Sequence, residues 1–145
     1  MVERGGVGRC PRFALVDERG EMAEEYDPYD FELFRLCEAG GDRWVGVHDE
    51  TWEYIWHGRT PEAVVLAYLE EKLEAKREAV EEERRDCEER LRRAETSEDE
   101  REREWWLRSH AACLEALEGL ERDARRLERL VERLRGGRIK VEFME

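Results

Sequence analysis

The chain contains no asparagine and no glutamine, and only two serines, three threonines and three prolines among 145 residues. The shortage of hydroxyl side chains leaves nucleophilic catalysis little to work with. Ser97 sits where a helix cap is expected, Ser109 lies within a helical stretch, and no glycine-rich phosphate loop is present. No run approaches 18 consecutive apolar residues, so no membrane-spanning helix is expected. The opening Met1-Val-Glu-Arg-Gly-Gly lacks the apolar core of a signal peptide, and Met1 to Gly8 reads as a loose glycine-rich lead-in. Together these absences point to a cytoplasmic protein. Lysine is scarce as well, with 3 against 23 arginines. Loss of heat-labile amides beside dense opposite charges is a thermophile-like pattern, which a GC-rich genome also favours.

What is abundant is charge, which makes up 45% of the chain with a net value of -13. The excess acid lies towards the start, where Asp17, Glu18, Glu21, Glu24, Glu25, Asp27, Asp30 and Glu32 stand against Arg19 alone. A phosphate backbone would be repelled there, so direct nucleic-acid binding is not expected. An acidic surface that mimics nucleic acid and occupies a basic groove is the alternative use of the same charge. With 40% apolar residues the chain is nonetheless too rich in Leu, Val and Trp to be disordered.

The dominant pattern is helical. Trp106, Cys113, Leu120, Leu127 and Leu134 recur every seven residues, interleaved with His110, Leu117, Ala124 and Val131, as in a coiled coil. Leu66, Leu73, Val80, Cys87 and Ala94 form a matching but weaker series. Folding one series on the other pairs Leu73 with Leu120, Val80 with Cys113 and Cys87 with Trp106, each pair of numbers summing to 193. That register predicts an antiparallel hairpin over residues 60–136, reversing between Thr96 and Ser97. Thr60-Pro61 is the first cap, a Ser97/Glu100 capping box starts the second helix, and Gly136-Gly137 is the stop. One continuous helix in a two-fold dimer would give the same sums. A phase jump of two residues across the tip disfavours it.

Strand patterns flank the hairpin. Arg12 to Asp17, Thr51 to His57 and the alternation of Ile139, Val141 and Phe143 predict strands. Residues 28–39 read as helix or as strand. The strand reading places Phe31 to Cys37 against Arg43 to His48 across the Gly40-Gly41 turn. The resulting fold class is α+β: a small antiparallel sheet from residues 1–59 plus the tail 137–145, with a protruding helical hairpin.

No catalytic, cofactor-binding or metal residues are assigned. His48, Asp49, Glu50 and His57 are the one group that could serve a small metal-dependent hydrolase, but they lack the close ligand pairs of zinc sites. The Glu70-Glu71-Lys72-Leu73-Glu74 stretch matches an acidic magnesium-binding arrangement, as chance allows among 39 acids. Cys10, Cys37, Cys87 and Cys113 show no CxxC pair, and Cys87 and Cys113 fall in different layers, so all four are expected as buried free thiols. Glu83 and His110 share a layer, as do Arg90 and Arg103. Trp105, Leu107, Ala111 and Leu114 fall outside the seam and widen the apolar face of the second helix. That surplus predicts an interaction surface, for a second copy of the chain in a homodimer or for another protein. A non-enzymatic adaptor or regulator is the reading these features favour.

Overall fold

The computed structural model describes residues 8–144. Strand β1 (Arg12–Val16) pairs antiparallel with β5 (Lys140–Met144), and β2 (Phe34–Glu38), β3 (Trp44–His48) and β4 (Tyr54–Gly58) form an antiparallel sheet in that order. Between the strands run two long helices packed on each other, α1 (Pro61–Thr96) and α2 (Glu100–Arg135). The α+β class is therefore as expected. The tail strand, however, joins β1 alone, so the strands make two small sheets. The ambiguous stretch at residues 28–39 is split: Asp27 caps a single 3-10 turn at Pro28–Phe31 by accepting the Tyr29 N–H (3.0 Å), and β2 follows.

The described residues divide into two compact units, one holding the chain up to Glu71 and from Leu127, the other Lys72–Arg126. The first unit thus takes in the bases of both helices as well as the strands. Its centre is aromatic. The Phe34 ring lies 4.5 Å from Tyr68 and 5.5 Å from Trp56, and Phe31 and Phe13 extend the cluster between the two sheets. Such pairs contribute about 0.5–1.5 kcal/mol each beyond the area they bury. Gly46 makes room for them, because a β-carbon there would sit 2.5 Å from the Phe34 ring and 2.9 Å from Trp56. Val64, Val65 and Leu69 of α1 and Leu127, Leu130 and Val131 of α2 are buried in the same unit. Buried Glu25 pairs with Arg133 (2.6 Å), and the Glu62 carboxylate accepts the Val141 N–H (2.9 Å), fastening α2 and β5.

Tyr68 donates its hydroxyl to the Asp30 carbonyl. Burial first, then the nearby Asp30 and Glu71 carboxylates, push the Tyr68 hydroxyl up to about 12. Tyr26 is raised for the same leading reason, with Asp27 and Asp30 adding to it.

The helix ends follow local chemistry. Thr60 Oγ1 accepts the Ala63 N–H (3.1 Å) at the start of α1. At the end of α2 the Gly137 N–H bonds Leu134 and the Arg138 N–H bonds Arg133, with Gly137 at φ 74°. That is a Schellman stop, which needs a left-handed residue. The start of α2 differs from the capping-box expectation. Residues 97–99 form the turn, and Asp99 is the cap, its carbonyl accepting the Arg103 N–H (2.9 Å) and its carboxylate the Arg101 N–H (3.4 Å).

The register differs too. Lys76 meets Asp123 (3.0 Å), Arg90 meets Ser109 (2.9 Å) and Cys87 is bonded to Cys113, so facing residues sum to 199 or 200. The expected 193 paired like positions of the two heptad series, whereas the observed seam interlocks them a turn or two further along. Val80, Cys87, Cys113 and Leu117 form one buried cluster, flanked by half-buried Leu120 and Ala124. At Asp123, burial opposes ionisation, but hydrogen bonds from Arg126 and Lys76 outweigh it and hold the carboxyl below its ordinary range.

The cysteines are therefore not free thiols. Cys87–Cys113 bridges the two helices with Cα atoms 5.6 Å apart, because the shifted register brings into contact two residues that 193 had kept apart. Cys10–Cys37 is the second bridge. Residues 8 and 9 pair along Glu38 (Gly8 N–H to its carbonyl, 2.7 Å; Glu38 N–H to the Arg9 carbonyl, 2.8 Å), which sets Cys10 beside Cys37.

Non-reducing peptide mapping is expected to recover 10–37 and 87–113 as the linked pairs. Each closes a loop of about that separation, 27 and 26 residues, so removing either by Cys→Ser should lower stability by on the order of 3 kcal/mol in urea unfolding. Gly46→Ala should cost about 1–3 kcal/mol by forcing the ring cluster apart, with partial recovery when Phe34→Leu is added. The raised Tyr68 value makes the folded state hold a proton that the unfolded chain releases. Stability is full below pH 10 and declines as the pH climbs through about 12. Tyr68→Phe is expected to flatten that alkaline decline in a pH series of melting curves.

Candidate functional site

A helix with one partner buries one stripe. In the distal part of α2, Cys113 and Leu117 fill that stripe, with Trp106, Leu120 and Ala124 half-buried beside it. Leu107, Ala111 and Leu114, spaced four and three apart, lie on a different face, as i, i+4, i+7 positions do. All three are exposed, Leu107 by 45% and Leu114 by 46%. Trp105 is 54% exposed and meets Trp106 edge-on at 4.8 Å, while the Arg93 guanidinium lies over the Trp106 ring at 5.1 Å. Trp106 is thus held between a cation and a ring, and Trp105 stands outside it. Leu91 of α1 adds a further partly exposed apolar side chain. Leu107, Ala111 and Leu114 form the apolar stripe that the heptad pattern leaves over, and Trp105 is exposed on the other side of the seam.

The acidic stretch is less uniform than its sequence. Glu25 and Asp30 are buried. Asp17 accepts the Arg19 and Glu21 N–H groups (2.9 and 3.1 Å) in the turn after β1, and Asp27 caps the 3-10 turn. Glu18, Glu21, Glu24 and Glu32 remain as exposed side chains. Half of the eight acids therefore shape turns or lie in the interior.

The remaining sequence candidates do not converge. His48 aligns with Phe34 and His57 with Val45, on opposite faces of the β3–β4 pair. Asp49 is engaged by Arg35, and Glu50 donates its N–H to His48 Nδ1 (3.3 Å). In the acidic helical stretch, Glu70 pairs with Arg135 and Glu71 accepts the Trp56 indole N–H. Glu83 and His110 do not touch as layer partners. His110 Nδ1 instead lies 2.9 Å from the Cys87 carbonyl, and Glu83 Oε1 lies 3.3 Å from Cys113 Sγ. Arg90 and Arg103 do not face each other, and Arg103 is exposed. Arg90 binds Ser109 and Asp86, and Arg103 donates to the Ser97 carbonyl (2.7 Å).

A cleft of about 360 Å³ between the two sheets is lined by aromatic rings together with Arg12, Glu32, Arg35 and Asp49. Its principal charges are partly matched within the chain, through the Arg35–Asp49 pair. Among the described residues, the one group of three or more metal-ligating side chains with mutually close donor atoms is Glu83, Cys87 and Cys113. The sequence reading missed that group because it misaligned the helices by several residues. The usable signal was Asp99, which competes with Ser97 as cap and moves the turn towards the observed register.

No family model, no curated protein and no solved structure matches this chain.

Proposed function

We propose that the chain is a non-enzymatic interaction protein, an adaptor or regulator that works through the distal part of its helical hairpin. The observation that carries this reading is the stripe of Leu107, Ala111 and Leu114, exposed on a face of α2 apart from its seam, with Trp105 exposed on the other side of that seam. Burying one such Leu or Trp in a partner is worth roughly 1.5–3 kcal/mol, so a few of them supply most of a micromolar affinity. A second copy of the chain, forming a four-helix arrangement with the first, is the simplest occupant.

The exposed carboxylates Glu18, Glu21, Glu24 and Glu32 support a subsidiary contact with a basic surface. As a nucleic-acid mimic the acidic stretch is weakened by the four acids committed to turns and interior. A hydrolase built on His48, Asp49 and His57 draws no support from residues on opposite faces of a strand pair.

Light scattering at high protein concentration is expected to show a larger species for the wild type than for Trp105→Ala with Leu114→Glu. Helix content should be equal in the two, since both side chains are exposed within the chain. If the wild type is monomeric, capture from lysate should enrich a protein that the double variant fails to hold. Equal mass and equal capture for both chains would remove the stripe from the function.

A further inference from the structure

The Cys87–Cys113 layer carries chemistry that a structural cross-link does not need. Glu83 and Cys87 stand four apart on α1 and so share a face, and Cys113 comes to that face from α2. Cys87 and Cys113 are 2% and 3% exposed, and Glu83 is half-buried. The donor atoms of these three residues all lie within 4.8 Å of one another. Glu83 Oε1 is 3.3 Å and Asp86 Oδ2 3.9 Å from Cys113 Sγ, although a disulfide sulfur has no proton to donate to either. Asp86 is neutralised by Arg90 (2.9 Å), whereas the Glu83 carboxylate enters no ion pair among the described residues. A half-buried carboxylate with no ion-pair partner among the described residues therefore lies against two buried sulfurs.

We propose that, once the Cys87–Cys113 bond is reduced, this layer is a binding site for a soft tetrahedral divalent cation of the zinc class, ligated by the Cys87 and Cys113 thiolates and the Glu83 carboxylate. A dithiol donor supplies the two electrons and two protons of the first step. The S–S bond breaks, Cys87 and Cys113 become thiols, and the donor becomes a disulfide. Metal entry then displaces one proton from each thiol into solvent, and water completes the fourth position. Zinc holds sulfur at about 2.3 Å and carboxylate oxygen at about 2.0–2.2 Å, which sets its ligands roughly 3.5 Å apart. Small side-chain rotations within the 4.8 Å group reach that spacing. Two thiolates select the softer metals over magnesium or calcium. The His110 Nδ1–H, donated to the Cys87 carbonyl at 2.9 Å, holds the backbone of one ligand in place. In this scheme the two helices stay joined at one layer in either redox state, by a covalent bond when oxidised and by a metal when reduced.

The test uses the full chain carrying Cys10→Ser and Cys37→Ser, reduced with a tertiary phosphine and titrated with cobalt(II) alone as an optical probe. The expected result is a thiolate-to-cobalt charge-transfer band that saturates at one equivalent and is bleached by zinc. The oxidised chain should show no band, Cys113→Ser should abolish it, and Glu83→Gln should weaken binding at least tenfold while helix content is unchanged. Absence of the band at one equivalent in the reduced chain overturns the proposal. So does a band whose affinity Glu83→Gln leaves intact, because that is dithiolate binding without the proposed cage. If the Cys10→Ser, Cys37→Ser chain does not fold, the same titration on the fully reduced wild type against Glu83→Gln decides the question.

Discussion

Almost half of this chain is charged, and that constrains everything else about it. Two helices of 36 residues can bring together only the narrow apolar stripe that such a composition leaves, and few layers carry the contact. In the distal unit those layers are Val80, Cys87, Cys113 and Leu117, with Leu120 and Ala124 at the margins. Ion pairs across the seam, Lys76 with Asp123 and Arg84 with Glu121, add direction more than energy, since exposed pairs are worth about 0–1 kcal/mol. A covalent bond in the middle of a thin seam is therefore a large share of what aligns the helices.

The strand-bearing unit solves the opposite problem. Its strands are five residues long and its sheets have two and three strands, too little to be stable alone. Rings replace extent. Phe34, Trp56 and Tyr68 meet over Gly46, and the bases of α1 and α2 bring Val64, Val65, Leu127 and Leu130 to the same interior. The acids that look like surplus charge in the sequence are partly consumed here. Glu25 answers Arg133, and Asp30 offers its carbonyl to Tyr68.

Most of this architecture was legible from periodicity. Seven-residue spacing identified both helices, Thr60-Pro61 and Gly136-Gly137 marked their outer ends, alternation located β4 and β5, and short apolar runs beside turn residues located β1 and β3. The turn at Ser97–Asp99 and the seam register were not legible, because Ser97 and Asp99 are both good caps and lie two residues apart. Shifting the start of α2 changes which side chains face each other, and on that choice hung the cysteine pairing and the meaning of Glu83. The Cys10–Cys37 pair was hidden for a different reason. It depends on residues 8 and 9 running beside Glu38, a pairing too short to leave an alternating pattern. The exposed stripe, by contrast, followed directly from counting apolar residues that a single seam cannot hold.

The two disulfides close stretches that neither overlap nor nest, residues 10 to 37 and 87 to 113. Each native bridge closes a shorter loop than any mispairing of the four cysteines would, an entropic advantage of about 0.6 kcal/mol for each doubling of loop length. The second bridge also encloses the whole turn between the helices. A backbone cut anywhere between Cys87 and Cys113 would leave both flanking segments on one covalent molecule, so the end of the hairpin can be nicked, or accept an inserted segment, without the helices parting company.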